Sequence, residues 1–177
     1  GLLVHMPTSL KIIRKIEKYF EQEVEQDGYD PILLPVLVPE KYISKEKEHI
    51  KGFAPELLWV TEGGKHKLEE RFFLRPTGES QIYPMYSQWI RTHKDLPLKR
   101  YQSRIMAYRF ESTTRPWFRG REFIFFATHG VFRDHKGVMN QIRKDMRTTR
   151  KVIFDKLAIP FLYFKRPSWD AFPGAMD

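Results

Sequence analysis

Four arginines, Arg109, Arg115, Arg119 and Arg121, fall within thirteen residues, in the stretch Tyr108-Arg109-Phe110-Glu111 and, after a short gap, Arg115-Pro116-Trp117-Phe118-Arg119-Gly120-Arg121-Glu122-Phe123. So many guanidinium groups repel one another unless an anion or carboxylates lie among them. A nucleoside triphosphate is such an anion, and arginine presents planar, paired donors that match phosphate oxygens. In a strand, alternation puts Arg109 and Glu111 on one face. A cation for a phosphate and an acceptor for a base amino group would then stand side by side. A solvated basic hairpin with Arg–Glu surface pairs would use the same residues, and such pairs are common and weak. Residue types alone leave both readings open.

These residues need strands beneath them. Residues 98–111 and 122–132 read as two strands, with the basic loop 112–121 between them. Before them, residues 9–26 read as a helix whose Ile13, Ile16, Phe20 and Val24 share a face, with Gly28 as its stop. Residues 31–39 are apolar and β-branched but interrupted by prolines, so they predict an edge or interface strand. Residues 59–61 and 71–74 predict short strands around a Gly63-Gly64 turn, while the polar stretches 46–51 and 63–70 read as loops. Residues 78–93 read as a helix that buries Ile82, Met85, Tyr86, Trp89 and Ile90. A last helix starts at Asp134, a good N-cap. Its expected inner stripe is Val138, Ile142, Met146, Ile153 and Leu157, with Arg143, Lys144, Arg147, Arg150 and Lys151 outside. Tyr163-Phe164 opens one further strand. Without regular βαβ alternation, the fold class is α+β: a largely antiparallel sheet flanked by helices.

The chain's 177 residues suit one domain with a single core, and 41% hydrophobic content separates it from disordered chains. It contains no run of about eighteen apolar residues, so no membrane span is expected, and no segment resembles a signal peptide. Cysteine is absent, which excludes disulfides and thiolate metal sites and fits a reducing, cytoplasmic compartment. The net charge of +9 fits either a basic surface or a polyanion partner. The six histidines are scattered, and no carboxylate or histidine spacing announces a dedicated metal cage.

Arg-x-Glu, a loop, then Arg-Glu-Phe resembles motif 2 of the class II aminoacyl-tRNA synthetases, and Thr114-Arg115-Pro116 resembles the prolyl-tRNA synthetases among them. Gly28-Tyr29-Asp30-Pro31-Ile32-Leu33-Leu34-Pro35 resembles motif 1, whose proline lies at a dimer interface. Similar to the archaeal and eukaryotic type are His49-Ile50-Lys51-Gly52-Phe53, Trp59-Val60-Thr61, Leu74-Arg75-Pro76-Thr77-Gly78-Glu79 and Asp95-Leu96-Pro97. Lys165-Arg166-Pro167-Ser168-Trp169-Asp170 and Phe172-Pro173-Gly174-Ala175 continue the series, which runs in order over almost the whole chain.

The resemblance implies the class II catalytic fold and a ligase that activates proline with ATP and magnesium, then transfers it to the 3′ end of its tRNA. It implies that Arg109 is the catalytic residue, holding the α-phosphate and the amino-acid carboxylate. By the same resemblance Glu111, Arg119 and Gly120 join Arg109 in binding ATP, and Arg115 meets tRNA. Thr77 and Glu79 receive the proline imino group, with Phe125 and His129 also in the amino-acid pocket. Family members usually carry Trp-x-Glu-x-His where this chain has Phe125, Ala127 and His129, so a pocket carboxylate is missing. The motif 2 loop also looks one residue shorter than in close relatives. The expected organisation is one partial catalytic domain over residues 1–177, a homodimer when whole, without motif 3 or an anticodon-binding domain. The competing reading is a non-catalytic synthetase-like paralogue that dimerises or binds RNA.

Overall fold

The structure, a computed structural model, describes residues 1–42 and 56–164. The stretch 46–51 and the family-like segments at 49–53, 165–170 and 172–175 lie outside the described residues.

Helix α1 (Pro7–Gln26) starts on a proline, which loses nothing there because the first-turn N–H has no intrahelical partner. Ile13, Ile16, Phe20 and Val24 lie on its less exposed side as expected. It stops at Gly28, whose φ of 84° is open to glycine and strained for other residues. Two three-stranded sheets follow. In the first, β1 (Asp30–Pro31) runs parallel to β5 (Leu98–Tyr108), and β5 pairs antiparallel with β6 (Glu122–Val131). In the second, β4 (His66–Leu74) lies between β2 (Leu37–Pro39) and β3 (Trp59–Gly63), antiparallel to both. The β5–β6 hairpin is the pair expected from the sequence, although β5 stops at Tyr108.

Other expectations need correction. Residues 31–39 do not form one strand. Prolines at 31, 35 and 39 cannot donate to a ladder, and the segment divides into β1 and β2, each at the edge of a different sheet. Strand β4 begins at His66, not at residue 71, because its charged residues are the outer face of a half-exposed strand. Helix α2 (Glu79–Trp89) buries Ile82 and Tyr86 against Leu34. Trp89, its last residue, stays 40% exposed and meets Tyr86 edge-on with ring centres 6.2 Å apart.

Helix α3 (His135–Arg150) is capped by Asp134, whose Oδ1 accepts the Gly137 N–H at 2.8 Å. Its buried face is not the expected stripe: Ile142 and Met146 are exposed, and Gln141 and Val152 are buried. A polar network sets this rotation. Gln141 donates to Asp145 at 2.8 Å and to Asp27 at 2.5 Å and accepts from Lys99 at 3.2 Å, while the Tyr29 hydroxyl donates to Asp145 at 3.2 Å. Satisfied buried polar groups of this kind hold one orientation firmly. The basic residues Arg143, Lys144, Arg147, Arg150 and Lys151 do point outward. A π-helical turn, Lys151–Lys156, follows, and Tyr163-Phe164 has no strand pairing among the described residues.

One irregularity positions everything downstream. Between the pairs Gln102↔Ala127 and Ile105↔Phe125, two residues of β5 face one of β6, which makes a bulge. Its second residue, Arg104, has φ 56°. The Glu17 carboxylate accepts the Arg104 N–H at 3.1 Å, and Glu21 takes the guanidinium twice, at 3.0 and 2.8 Å. In a regular strand the extra residue would turn every later side chain to the opposite face. With the bulge, Gln102, Ile105 and Ala107 stay on the face of Phe125, Ala127 and His129. Tyr101 and Phe126 take the other face, stacked at 5.9 Å, with Phe20 of α1 against Phe126.

Candidate active site

Beyond Tyr108 the β5–β6 ladder continues through the Arg109 N–H, which donates to the Arg121 carbonyl at 2.9 Å. That bond holds the Arg109 backbone firmly while its side chain meets carboxylates. Glu56 pairs with the Arg109 guanidinium, accepting from Nη2 at 2.9 Å and also meeting Nε, and raises its affinity for the proton. Glu111 lies 3.4 Å from the same Nε and accepts from Arg119 at 3.0 Å. Arg121 donates to the Glu111 carbonyl at 3.0 Å and lies over the Phe110 ring. Two carboxylates therefore separate the clustered cations, and a cavity of about 580 Å³ opens beside them. Arg109, Glu111, Arg119, Gly120 and Phe123 line it. A Cβ on Gly120 would lie 2.9 Å from the Glu122 carbonyl oxygen, so only glycine fits without moving backbone.

Leu3 and His5 close another side of the cavity. This opening segment is tied down where the Gly1 carbonyl accepts the Arg121 N–H at 2.7 Å, and His5 meets Trp117 edge-on at 6.0 Å. Arg115 does not line the cavity. It sits on the exposed loop, bonded backbone to backbone with Arg119 at 2.9 and 2.8 Å, with its guanidinium 5.5 Å from the Phe118 ring.

A second cluster lies along the same sheet face. Arg75 is buried, donating to the Leu34 carbonyl at 2.8 Å and the Met106 carbonyl at 3.1 Å, while its own carbonyl accepts the Tyr108 N–H at 2.9 Å. These bonds fix the start of the turn that carries Thr77, Gly78 and Glu79. Glu79 is the first residue of α2, where the helix dipole favours a negative charge. Its Oε2 is buried and has no hydrogen-bond partner among the described residues. A buried carboxylate oxygen left unbonded costs free energy, a cost that an added hydrogen-bond donor would relieve. His129 is buried on β6 with Phe125 and Ala127 on its face. Burial lowers its proton affinity, and the nearby Glu79 charge opposes that. Among the described residues, no three His, Asp or Glu converge as a metal cage, and no helix is long and apolar enough to cross a membrane.

Arg109, Glu111, Arg119 and Gly120 thus share one cavity, Glu79 and His129 act on each other, with Phe125 on the same strand face as His129, Thr77 precedes the Gly78 that packs against His129, and Arg115 stands apart on the loop. Sequence reasoning gave no site role to Glu56, Arg75, Gln102 or Phe123, although Arg75 and Phe123 lie within its family-like motifs; Gln102 left the signal of an amide at an inward-facing position of a strand.

The chain matches the family model described as tRNA synthetase class II core domain (G, H, P, S and T) over residues 59–175. It is 51% identical to the Proline--tRNA ligase of Thermofilum pendens over 177 residues, which is all of this chain and 36% of that protein. The prolyl-tRNA synthetase of Giardia lamblia in complex with prolyl-adenylate superposes with a TM-score of 0.95 at 36% identity, covering 99% of this chain and 35% of that one. The Cryptosporidium parvum enzyme, complexed with halofuginone and AMPPNP, gives a TM-score of 0.92 at 32% identity, covering 99% of this chain and 36% of that one. The chain thus spans little more than a third of the length of the relatives it matches. By this family match, and by the antiparallel hairpin that carries its clustered arginines, the chain belongs to the class II tRNA synthetase core domain family.

Proposed function

We propose that the gene product containing this chain is a proline–tRNA ligase, acting in the cytoplasm. The observation that carries the reading is the buried, unbonded Glu79 Oε2, a seat for a cationic imino group, in a chain whose Arg109, Glu111 and Arg119 line a cavity fit for phosphate. Proline binds with its imino group on Glu79 and Thr77 and its carboxylate toward Arg109. The nucleotide enters as its magnesium complex, the ion held through phosphate oxygens and water. Arg119, Glu111 and the backbone at Gly120 hold the nucleotide, with Phe123 as an apolar wall. A proline carboxylate oxygen attacks the α-phosphorus. The bond from that phosphorus to the oxygen bridging toward the β-phosphate breaks, and its electrons leave on pyrophosphate. The Arg109 fork balances the charge that builds on the phosphoryl oxygens, and Glu56 and Glu111 hold that fork in place beforehand. The tRNA 3′-terminal hydroxyl then attacks the acyl carbon and AMP leaves. Arg115, beside the exposed Trp117 and Phe118, meets the tRNA.

The full gene product should exchange labelled pyrophosphate into ATP only when proline is present. Absence of exchange together with retained RNA binding would favour the non-catalytic module instead. Dimerisation belongs to the same reading. Leu33 is 81% exposed, and Val36 and Leu37 beside it are also open, an apolar strip suited to a second copy. Sedimentation should give a dimer; a strict monomer at micromolar concentration would contradict it.

A further inference from the structure

Beneath the amino-acid cluster, three side chains form a line in which each polar atom has one possible role. The Arg75 guanidinium is buried with no carboxylate partner among the described residues, and burial works against its charge. Besides backbone carbonyls, its Nη1 meets the Gln102 Oε1 at 3.4 Å. A guanidinium can only donate, so the Gln102 amide oxygen must face it. The Gln102 Nε2 then faces the other way and lies 3.2 Å from the His129 Nε2. An amide nitrogen also only donates, so this ring nitrogen must accept and carries no hydrogen. Gln102 is fully buried, so no solvent competes for either end of the amide. The turn bearing Thr77 and Glu79 rests on this pair: a Cβ on Gly78 would lie 2.6 Å from the Gln102 Nε2 and 3.3 Å from the His129 Nε2.

We propose that Arg75 and Gln102 are positioning residues that lock His129 as the neutral ring with its hydrogen on Nδ1, and so reserve Glu79 for the cationic substrate. An imidazolium beside Glu79 would pair with that carboxylate and compete with an imino cation. Phe125 and Ala127, the neighbours of His129 on its strand face, bring no charge, and Arg100, its cross-strand partner, gives its guanidinium to Asp30 at 2.6 Å, so Glu79 is the charge that bears on the ring. The lock withholds a proton where burial alone would leave the ring free to choose its tautomer. The proline-directed part of this inference rests on the function proposed above; the tautomer does not.

The full gene product, labelled with ¹⁵N-histidine, separates these two layers. At neutral pH and without substrates, the signals lost in His129→Gln should show a protonated Nδ1 and a bare Nε2. Gln102→Glu puts an acceptor against Nε2 and should move the hydrogen there or charge the ring. The same variant should raise the KM for proline by about tenfold or more while leaving the KM for ATP nearly unchanged, the mark of a lost substrate-specific interaction. Gln102→Leu, which only removes the donor, should leave a mixture of tautomers, and it serves where the Glu variant folds poorly. A wild-type ring with its hydrogen on Nε2, or charged, overturns the proposal, as does a tautomer indifferent to both substitutions. A shifted tautomer with an unchanged KM for proline overturns its role in recognition. A correct tautomer in a protein without proline-dependent exchange defeats the proposed reaction and leaves the lock standing.

Discussion

Arg109→Ala should lower proline-dependent pyrophosphate exchange by about a hundredfold or more, the scale of losing one donor aimed at developing charge, with little change in thermal midpoint. The two halves of that expectation come from different atoms. The backbone of Arg109 extends the β5–β6 ladder through its N–H to the Arg121 carbonyl, and alanine keeps that bond. The side chain is one-third exposed and pairs with Glu56 and Glu111, and partly solvated pairs contribute little to folding. Glu111 also keeps Arg119 at 3.0 Å when Arg109 is removed. The guanidinium therefore matters far more to a phosphoryl group in the cavity than to the fold. Arg109→Lys should recover little, because a point charge on a flexible stem cannot span two oxygens as a planar fork does. Exchange and thermal midpoint measured on both variants decide the matter. Near-normal exchange in Arg109→Ala, or lost exchange accompanied by unfolding, would refute the catalytic role.

How much of this could be read in advance depends on where each residue's partners lie along the chain. The β5–β6 hairpin was legible because its apolar residues lead directly into the arginine loop, and the pairing partners are neighbours in sequence. Helix α1 was legible from its own period. The rotation of α3 was not. Periodicity put Ile142 and Met146 inside, yet Gln141 and Asp145 face the core because Asp27, Lys99 and Tyr29 meet them there from far away in sequence. The same holds at the site. Arg109 and Glu111 declared themselves by type and spacing, two residues apart just past the end of β5. Glu56 reaches Arg109 across fifty-three positions, and the buried Arg75 finds Leu34 across forty-one. Residue type says that a buried cation needs acceptors; only the fold says that they are backbone carbonyls. The bulge at Arg104 is a third case, since Glu17 and Glu21 of α1 stabilise a β5 conformation that no local pattern announces.

Glu79→Gln should weaken proline use sharply and leave the empty protein at least as stable as before. The carboxylate begins α2 with its Oε2 buried and no hydrogen-bond partner among the described residues. An oxygen in that state is a cost to the unliganded fold, about 1–3 kcal/mol for a buried unsatisfied group. Its natural complement is a donor that arrives with the substrate, and the proline imino group brings two N–H bonds and a positive charge. A neutral amide keeps the shape and forfeits the charge. Losing one partner of a desolvated charge pair costs about 2 kcal/mol or more, so the KM for proline should rise about thirtyfold or more. The KM for ATP should stay near its parent value, because Arg109, Glu111 and Arg119 line a cavity to which Glu79 does not contribute. Glu79→Asp keeps the charge but withdraws it by one methylene, and should fall between the two. The three proteins should therefore separate by proline KM in the order Glu, Asp, Gln, with the Gln variant melting no earlier than the parent. A Gln variant that melts well below the parent would make Glu79 a support of the fold. Equal increases in both KM values would remove it from the imino site.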